Sequence, residues 1–286
     1  MSNLNLTTKP SSKELLEKSY QIRRHILEST TNAGSGHPGG SLSCVDILTV
    51  LYFNVMNHDP KNPSWPERDR FILSKGHAAP ALYATLAETG YIPIKSLKTL
   101  RKTGSFLQGH PDKNRLPCIE NSSGSLGNGL AIANGIALSG KLDEKKYQVF
   151  VMLGDGECDE GLVWEAAMFA SNNKIDNLTA IVDRNGLQID GPTESIMSLE
   201  PFSDKWKSFG WHVIQVDGND IHSIINAFDE AKKIKNKPTV IIAYLVKGKG
   251  VSIMEWVGDF HGMALSKEQC KKSLKELDKW HETMLG

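Results

Sequence analysis

Apolar residues Leu15, Leu16, Ile22, Ile26 and Leu27 recur at roughly helical spacing behind Ser11-Ser12-Lys13-Glu14, a segment with the form of a capping box. This pattern predicts a first helix that ends near Thr31, where Asn32 and the glycines stop it. A second helix is predicted over 41–53, a Pro-rich loop over 57–67, a short buried strand over 71–74 and a helix over 79–88. Residues 101–124 carry Gly104, Gly109, Pro111, Pro117 and Gly124 with little periodicity, and an unpatterned stretch of that length is usually functional. Beyond it, strands predicted over 148–153, 178–183, 211–216 and 240–245 alternate with helices over 126–139, 159–172, 221–234 and 266–284. Apolar strands alternating with helices mean an α/β fold, with a mostly parallel sheet covered by helices on both faces. No repeat or divisive linker is present. The expected organisation is an N-terminal tail over 1–12 and a single domain over 13–286.

Composition narrows the partners. Lysine and arginine number 33 and aspartate and glutamate 33 among 286 residues, so the chain lacks the positive surplus that nucleic acid or an acidic membrane would require. At 40% hydrophobic and 23% charged, it reads as an ordinary globular protein. No run is long and apolar enough to span a bilayer, and the first twenty residues lack a signal peptide's apolar stretch, so a soluble, cytoplasmic protein is expected. Cys44, Cys118, Cys158 and Cys270 show no metal-finger spacing and are expected to be free buried thiols.

Chemistry concentrates at two strand ends. Gly154-Asp155-Gly156 follows one predicted strand, where glycines permit a tight turn and exposed amides favour a phosphate. Asp183-Arg184-Asn185-Gly186-Leu187 closes the next. If these strands are neighbours, Asp155 and Asn185 project from adjacent carboxyl ends and offer hard oxygen ligands suited to Mg²⁺ with its phosphate oxygens. Lys247-Gly248-Lys249-Gly250 reads either as a phosphate grip or as a flexible cationic loop, and it lacks the GK[ST] of a P-loop.

The Gly-Asp-Gly to Asn pattern resembles the metal and diphosphate signature of thiamine diphosphate enzymes. Further motifs narrow the resemblance to transketolase: Ser35-Gly36-His37-Pro38-Gly39-Gly40, Asp59-Pro60-Lys61-Asn62-Pro63, Asp69-Arg70-Phe71-Ile72-Leu73-Ser74-Lys75-Gly76-His77-Ala78, Gly109-His110-Pro111 and Gly124-Ser125-Leu126-Gly127-Asn128-Gly129. They occur in the family's order over about residues 15–265. The resemblance implies the thiamine diphosphate-binding fold and, because it reaches only the first of the family's three domains, the N-terminal subunit of a split transketolase. Such a subunit would be active only with a C-terminal subunit supplying the pyrimidine-binding domain, in an α2β2 heterotetramer. It would transfer a two-carbon ketol unit from a ketose phosphate to an aldose phosphate. The glutamate that activates the cofactor lies on the family's second domain and matches no position here.

By the same resemblance, Mg²⁺ (or Ca²⁺ or Mn²⁺) is held by the Asp155 carboxylate, the Asn185 side-chain oxygen and the Leu187 carbonyl. Thiamine diphosphate is bound by His77, Gly124, Leu126, Gly154, Asp155, Gly156, Asn185, Ile189 and His261, with Leu126 and Ile189 packing on its rings. His37, His77, His110 and His261 line the channel above the reacting carbon, and Glu160 matches an acidic residue at a subunit interface linking paired active sites. Histidine suits a channel in which sugar hydroxyls gain and lose protons near neutral pH. His25, His58, His212, His222 and His281 lie outside these motifs and are expected to be structural. Other readings are a subunit of another thiamine diphosphate enzyme, such as deoxyxylulose-phosphate synthase or a specialised sugar transketolase, or a non-catalytic scaffold that kept the fold.

Overall fold

The computed structural model describes residues 9–285, so most of the expected N-terminal tail lies outside the described residues. Helix α1 (Ser12–Ala33) begins at the predicted capping box: the Ser11 hydroxyl accepts from the Glu14 amide, and the Glu14 carboxylate accepts from the Ser11 amide. It ends at Gly34, whose left-handed φ of 61° closes the cap.

The predicted second helix differs in form. Pro38 opens α2 (Pro38–Ser43), a break at Cys44 follows, and α3 (Val45–Val50) continues into a widened turn over Leu51–Val55. Gly39 and Gly40 are therefore helical rather than a boundary, and the backbone there is closely approached. A Cβ on Gly39 would sit 2.8 Å from the Phe260 carbonyl oxygen, and one on Gly40 would sit 3.4 Å from the His77 ring.

Strand β1 (Arg70–Leu73) leads to α4 (Ala79–Glu88), and the irregular stretch over 101–124 contains no helix or strand. Then come α5 (Asn128–Leu142), β2 (Val149–Gly154), α6 (Gly161–Asn172) and β3 (Leu178–Arg184). The sequence pattern missed the small hairpin of β4 (Leu187–Gln188) and β5 (Gly191–Pro192), and the short helices α7 (Thr193–Ile196) and α8 (Phe202–Ser208). Elements of two to seven residues carry too few positions for a period to emerge. Strand β6 (His212–Asp217), α9 (Ile221–Ala231), β7 (Thr239–Tyr244) and α10 (Lys267–Leu285) complete the order.

The five long strands pair in parallel in the order β1-β2-β3-β7-β6. Alternate residues of each strand face opposite sides. Phe150 and Met152 join one core with α1, α3, α4 and α9, while Val149, Val151 and Leu153 join the other with α5, α6 and α8. Because β2 and β3 are neighbours, with Gly154 opposite Asp183, the two polar loops emerge side by side. All four cysteines are free. No helix among the described residues is long and apolar enough to cross a membrane.

Candidate functional site

A cavity of about 390 Å³ opens where β2 and β3 end, lined by residues from both strand ends, the β4 turn and the histidine motifs. Ligands of parallel sheets bind at such carboxyl ends because the strand-to-helix loops diverge there.

The floor is a network of buried charge. Asp155 is 2% exposed; its Oδ1 accepts from the Gly156 amide at 2.9 Å and its Oδ2 from the Gly186 amide at 2.6 Å. Burial, and next the neighbouring Asp183 carboxylate, push the Asp155 carboxyl up to about 6. Asp183 is fully buried and accepts hydrogen bonds from the Ser43 hydroxyl, the Lys75 ammonium and, at 3.0 Å, the Asn185 amide. That last bond directs the Asn185 Oδ1 away from Asp183, where it accepts from the Leu187 amide at 3.1 Å. Glu157, also buried, takes the Gly127 amide at 2.9 Å, the Gly154 amide at 3.0 Å and the Ser74 hydroxyl, tying the Gly-Asp-Gly turn to the start of α5.

Lys247 stands across the cavity, 1% exposed, donating to the Leu187 carbonyl at 2.9 Å and to His261 Nδ1 at 2.8 Å. Burial, and then the charge of Lys75, lower its ammonium to about 8. The Lys-Gly-Lys-Gly segment is thus part of the wall at its first lysine, and the flexible-loop reading does not hold there. Gly248 is required: its φ is 80°, and a Cβ would meet the Met254 carbonyl oxygen at 2.3 Å.

Four histidines converge above this floor although they come from widely separated segments of the chain. Ring centroids separate His77 and His261 by 4.9 Å, His37 and His77 by 5.4 Å, His37 and His261 by 5.6 Å, and His37 and His110 by 6.2 Å. Burial is the first cause that depresses each. His37 falls to about 4 with the Arg101 charge next, and His261 to about 3 with Lys247 next. His77 falls well below its ordinary value with Lys75 next, and His110 is lowered with Arg101 next. At neutral pH all four are uncharged imidazoles, each with one donor and one acceptor nitrogen. His37 Nδ1 is buried without a hydrogen-bond partner.

Of the remaining site expectations, Gly124, Leu126, Gly154, Gly156 and Ile189 line the cavity, Ile189 at its mouth with 72% exposure. Glu160 does not line it; it is exposed and packs against Gly127, where a Cβ would lie 2.9 Å from its own. The other histidines have local partners: His25 pairs with Glu88, His58 with Tyr52 and Tyr91, His212 with Glu230, His222 with Ser12 and His281 with Glu17. Sequence reasoning missed Lys75, Glu157 and Asp183 as site residues. Each stands within or beside a quoted motif, but a charged residue carries no sign of burial until its partner is placed opposite.

The three oxygens expected to hold a metal, from a carboxylate, an amide and a backbone carbonyl, belong to residues that line the same cavity, and hard donors of this kind suit Mg²⁺. Lys75 and Lys247 line the cavity beside them, giving a diphosphate opposite charge. The residues therefore fit a metal-bound diphosphate. No group of three or more histidine, cysteine, aspartate or glutamate side chains suited to a metal occurs among the described residues, and this donor set, with one carboxylate, does not depend on one.

Residues 17–283 match the family described as transketolase, thiamine diphosphate binding domain. The chain is 46% identical over 266 residues to the 6-deoxy-6-sulfo-D-fructose transketolase subunit SqwG of Clostridium sp. (strain MSTE9), covering 93% of this chain and 97% of that protein. It is 43% identical over 265 residues to an apulose-4-phosphate transketolase subunit of Phocaeicola vulgatus, covering 92% of this chain and 94% of that protein. The crystal structure of transketolase from Campylobacter jejuni superposes with a TM-score of 0.90 at 33% identity, covering 94% of this chain and 43% of that one.

Proposed function

Because the chain belongs to the transketolase thiamine diphosphate binding domain family, we propose that it is the diphosphate-binding, N-terminal subunit of a split transketolase. The observation that carries this reading is the convergence of four neutral histidines in the same cavity that Asp155, Asn185 and Leu187 line. Nearly full-length likeness to two proteins named as transketolase subunits supports the split arrangement. The partner would be a C-terminal subunit carrying the pyrimidine-binding domain, assembled as α2β2.

In this reading Asp155, Asn185 and Leu187 hold Mg²⁺, and the Gly156 amide with Lys75 and Lys247 holds the diphosphate. Leu126 and Ile189 give the rings an apolar wall, and Gly124 and Gly154 leave room beside them. Thiamine diphosphate, when bound, supplies the electron sink for breaking and making a carbon–carbon bond next to a carbonyl. The protein's own task is to orient the sugar and move protons. His37 and His110, at the outer side of the cluster, bind hydroxyls of the donor. His77 and His261, nearer the floor, donate or accept at the reacting oxygen, and Lys247 holds His261 as the Nε2–H tautomer. Burial around the cluster keeps water from the reacting centre. Glu160, outside the cavity, acts in this reading through the subunit interface.

The substrates would be ketose and aldose sugars with a terminal anionic group. The names of the two subunits above contain a sulfo and a phosphate group respectively. The chain is to be mixed with its C-terminal partner, thiamine diphosphate and Mg²⁺, and supplied with xylulose 5-phosphate and ribose 5-phosphate, then with a 6-sulfo ketose. Ketol transfer with either donor, lost when the partner is omitted, is expected. Full transfer without the partner would overturn the split reading.

A further inference from the structure

Arg101 lies in the irregular stretch ahead of the Gly-His-Pro turn, with a left-handed φ of 59° and its amide donating to the Leu107 carbonyl at 2.8 Å. A non-glycine residue rarely adopts that backbone, and Arg101 holds it with its side chain exposed to solvent. The guanidinium rests on Gly109: a Cβ there would lie 3.1 Å from Cζ, 3.2 Å from Nη2 and 3.4 Å from Nε of Arg101. No carboxylate or carbonyl accepts from the guanidinium among the described residues; it is solvated, and its charge acts on His110 and His37 after the larger effect of burial. His110 is held from behind as well, its carbonyl accepting from the Tyr83 hydroxyl at 3.2 Å.

We propose that Arg101 is a positioning residue of the site: its guanidinium, packed on Gly109, holds the Gly109-His110 turn in place beside His37 while sugar hydroxyls are bound. A Cβ on Gly109 would press on the guanidinium and shift it by a few tenths of an ångström, so the Gly-His-Pro turn and Arg101 are packed as a pair. For both His37 and His110, Arg101 is the largest influence after burial itself. The other groups around the pair are accounted for. His77 with Lys75 faces it from the end of β1, and His261 with Lys247 from beyond β7. Asp155, Glu157, Asp159 and Asp190 line the same cavity, and Asp112 is taken up by the Asn114 amide, Ser122 and Arg115. The bearing on ketol transfer rests on the transketolase reading above; the clamp and its effect on the histidines do not.

Histidine-labelled full-length chain is to be titrated by NMR as wild type, Arg101→Leu, Arg101→Lys and, should the leucine variant fail to fold, Arg101→Gln. Loss of the charge is expected to raise the His37 and His110 midpoints, with lysine restoring most of the shift and His58 unmoved. Unchanged midpoints in a folded Arg101→Leu or Arg101→Gln protein, or an equal shift at His58, would overturn the proposal. The clamp is read separately from melting temperatures: Gly109→Ala should cost clearly less when combined with Arg101→Ala than alone, and strictly additive losses would refute the contact. With the partner subunit present, the acidic limb of the ketol-transfer profile should move in the same direction, toward higher pH, in Arg101→Leu. An inactive wild type would count against the transketolase reading and leave the titration result standing.

Discussion

Lys247 donates to His261 Nδ1 at 2.8 Å while its ammonium also donates to the Leu187 carbonyl at 2.9 Å. An ammonium has no acceptor capacity, so Nδ1 must be the acceptor and the proton of the neutral imidazole must sit on Nε2. One buried cation thereby couples the Leu187 loop to a histidine of the cluster. Lys247→Met is expected to weaken thiamine diphosphate binding by roughly 10–100-fold, the range for losing a group that orients a ligand. The Nε2–H signature of His261 should also be lost. Calorimetry and histidine NMR on the assembled enzyme would read the two effects, and an unchanged tautomer would contradict the coupling.

Asp155 is held by two backbone amides in a site where burial works against its charge. Replacing it by Asn keeps an acceptor oxygen and removes the charge that a cation would meet. Asp155→Asn should therefore lower Mg²⁺-dependent cofactor affinity by on the order of 100-fold or more, beyond the loss expected for an outer group. The melting temperature of the cofactor-free chain should change by only a few degrees. Equal cofactor binding by both proteins would sink the metal assignment.

Gly129, the second residue of α5, donates its amide to the Ser74 hydroxyl at 3.1 Å, and a Cβ there would lie 2.3 Å from that same oxygen. The motif requires glycine because a strand end and a helix start touch through backbone. Gly129→Ala should destabilise the fold by about 1–3 kcal/mol, the usual range for overpacking, and push Ser74 off Glu157. Urea denaturation would measure the first effect. A variant as stable as wild type would show that the contact yields freely.

Glu88 joins α4 to α1 through Lys18 at 2.8 Å and His25 at 2.9 Å, with only 8% of its side chain exposed. The His25 hydrogen bond first, and Lys18 after it, hold the Glu88 carboxyl down at about 2 against the opposing effect of burial. A folded value below the ordinary 4.5 means the unfolded chain binds the proton more readily, so the stabilisation is present above about pH 4.5 and fades as pH falls toward 2. Glu88→Gln should cost about 2 kcal/mol at pH 7, and the gap from wild type should close progressively between pH 4.5 and 2. Denaturation curves at pH 7, 4 and 3 check it; a gap independent of pH would assign the effect to packing.

The linear sequence determined the alternation of strands and helices, the capping box at Ser11, and the motifs that carry Asp155, Asn185 and the four histidines. The first two are local matters of period and turn chemistry, readable within a few residues, while the motif residues were legible through their resemblance to a family. Tertiary structure alone decided that β2 lies against β3, which brings Asp155 beside Asn185, and that His37 and His261 end 5.6 Å apart. It alone showed Lys75, Lys247, Glu157 and Asp183 to be buried among partners, and Arg23 to grip Asp46 inside the α1–α3 contact at 2.9 and 2.7 Å. A charged residue looks the same in sequence whether solvated or buried, because what makes burial tolerable is a partner contributed by a distant segment. The motif glycines follow the same logic. Gly34 could be anticipated from its place at a helix end, whereas Gly39 and Gly129 are glycine because of atoms that only the folded chain brings against them.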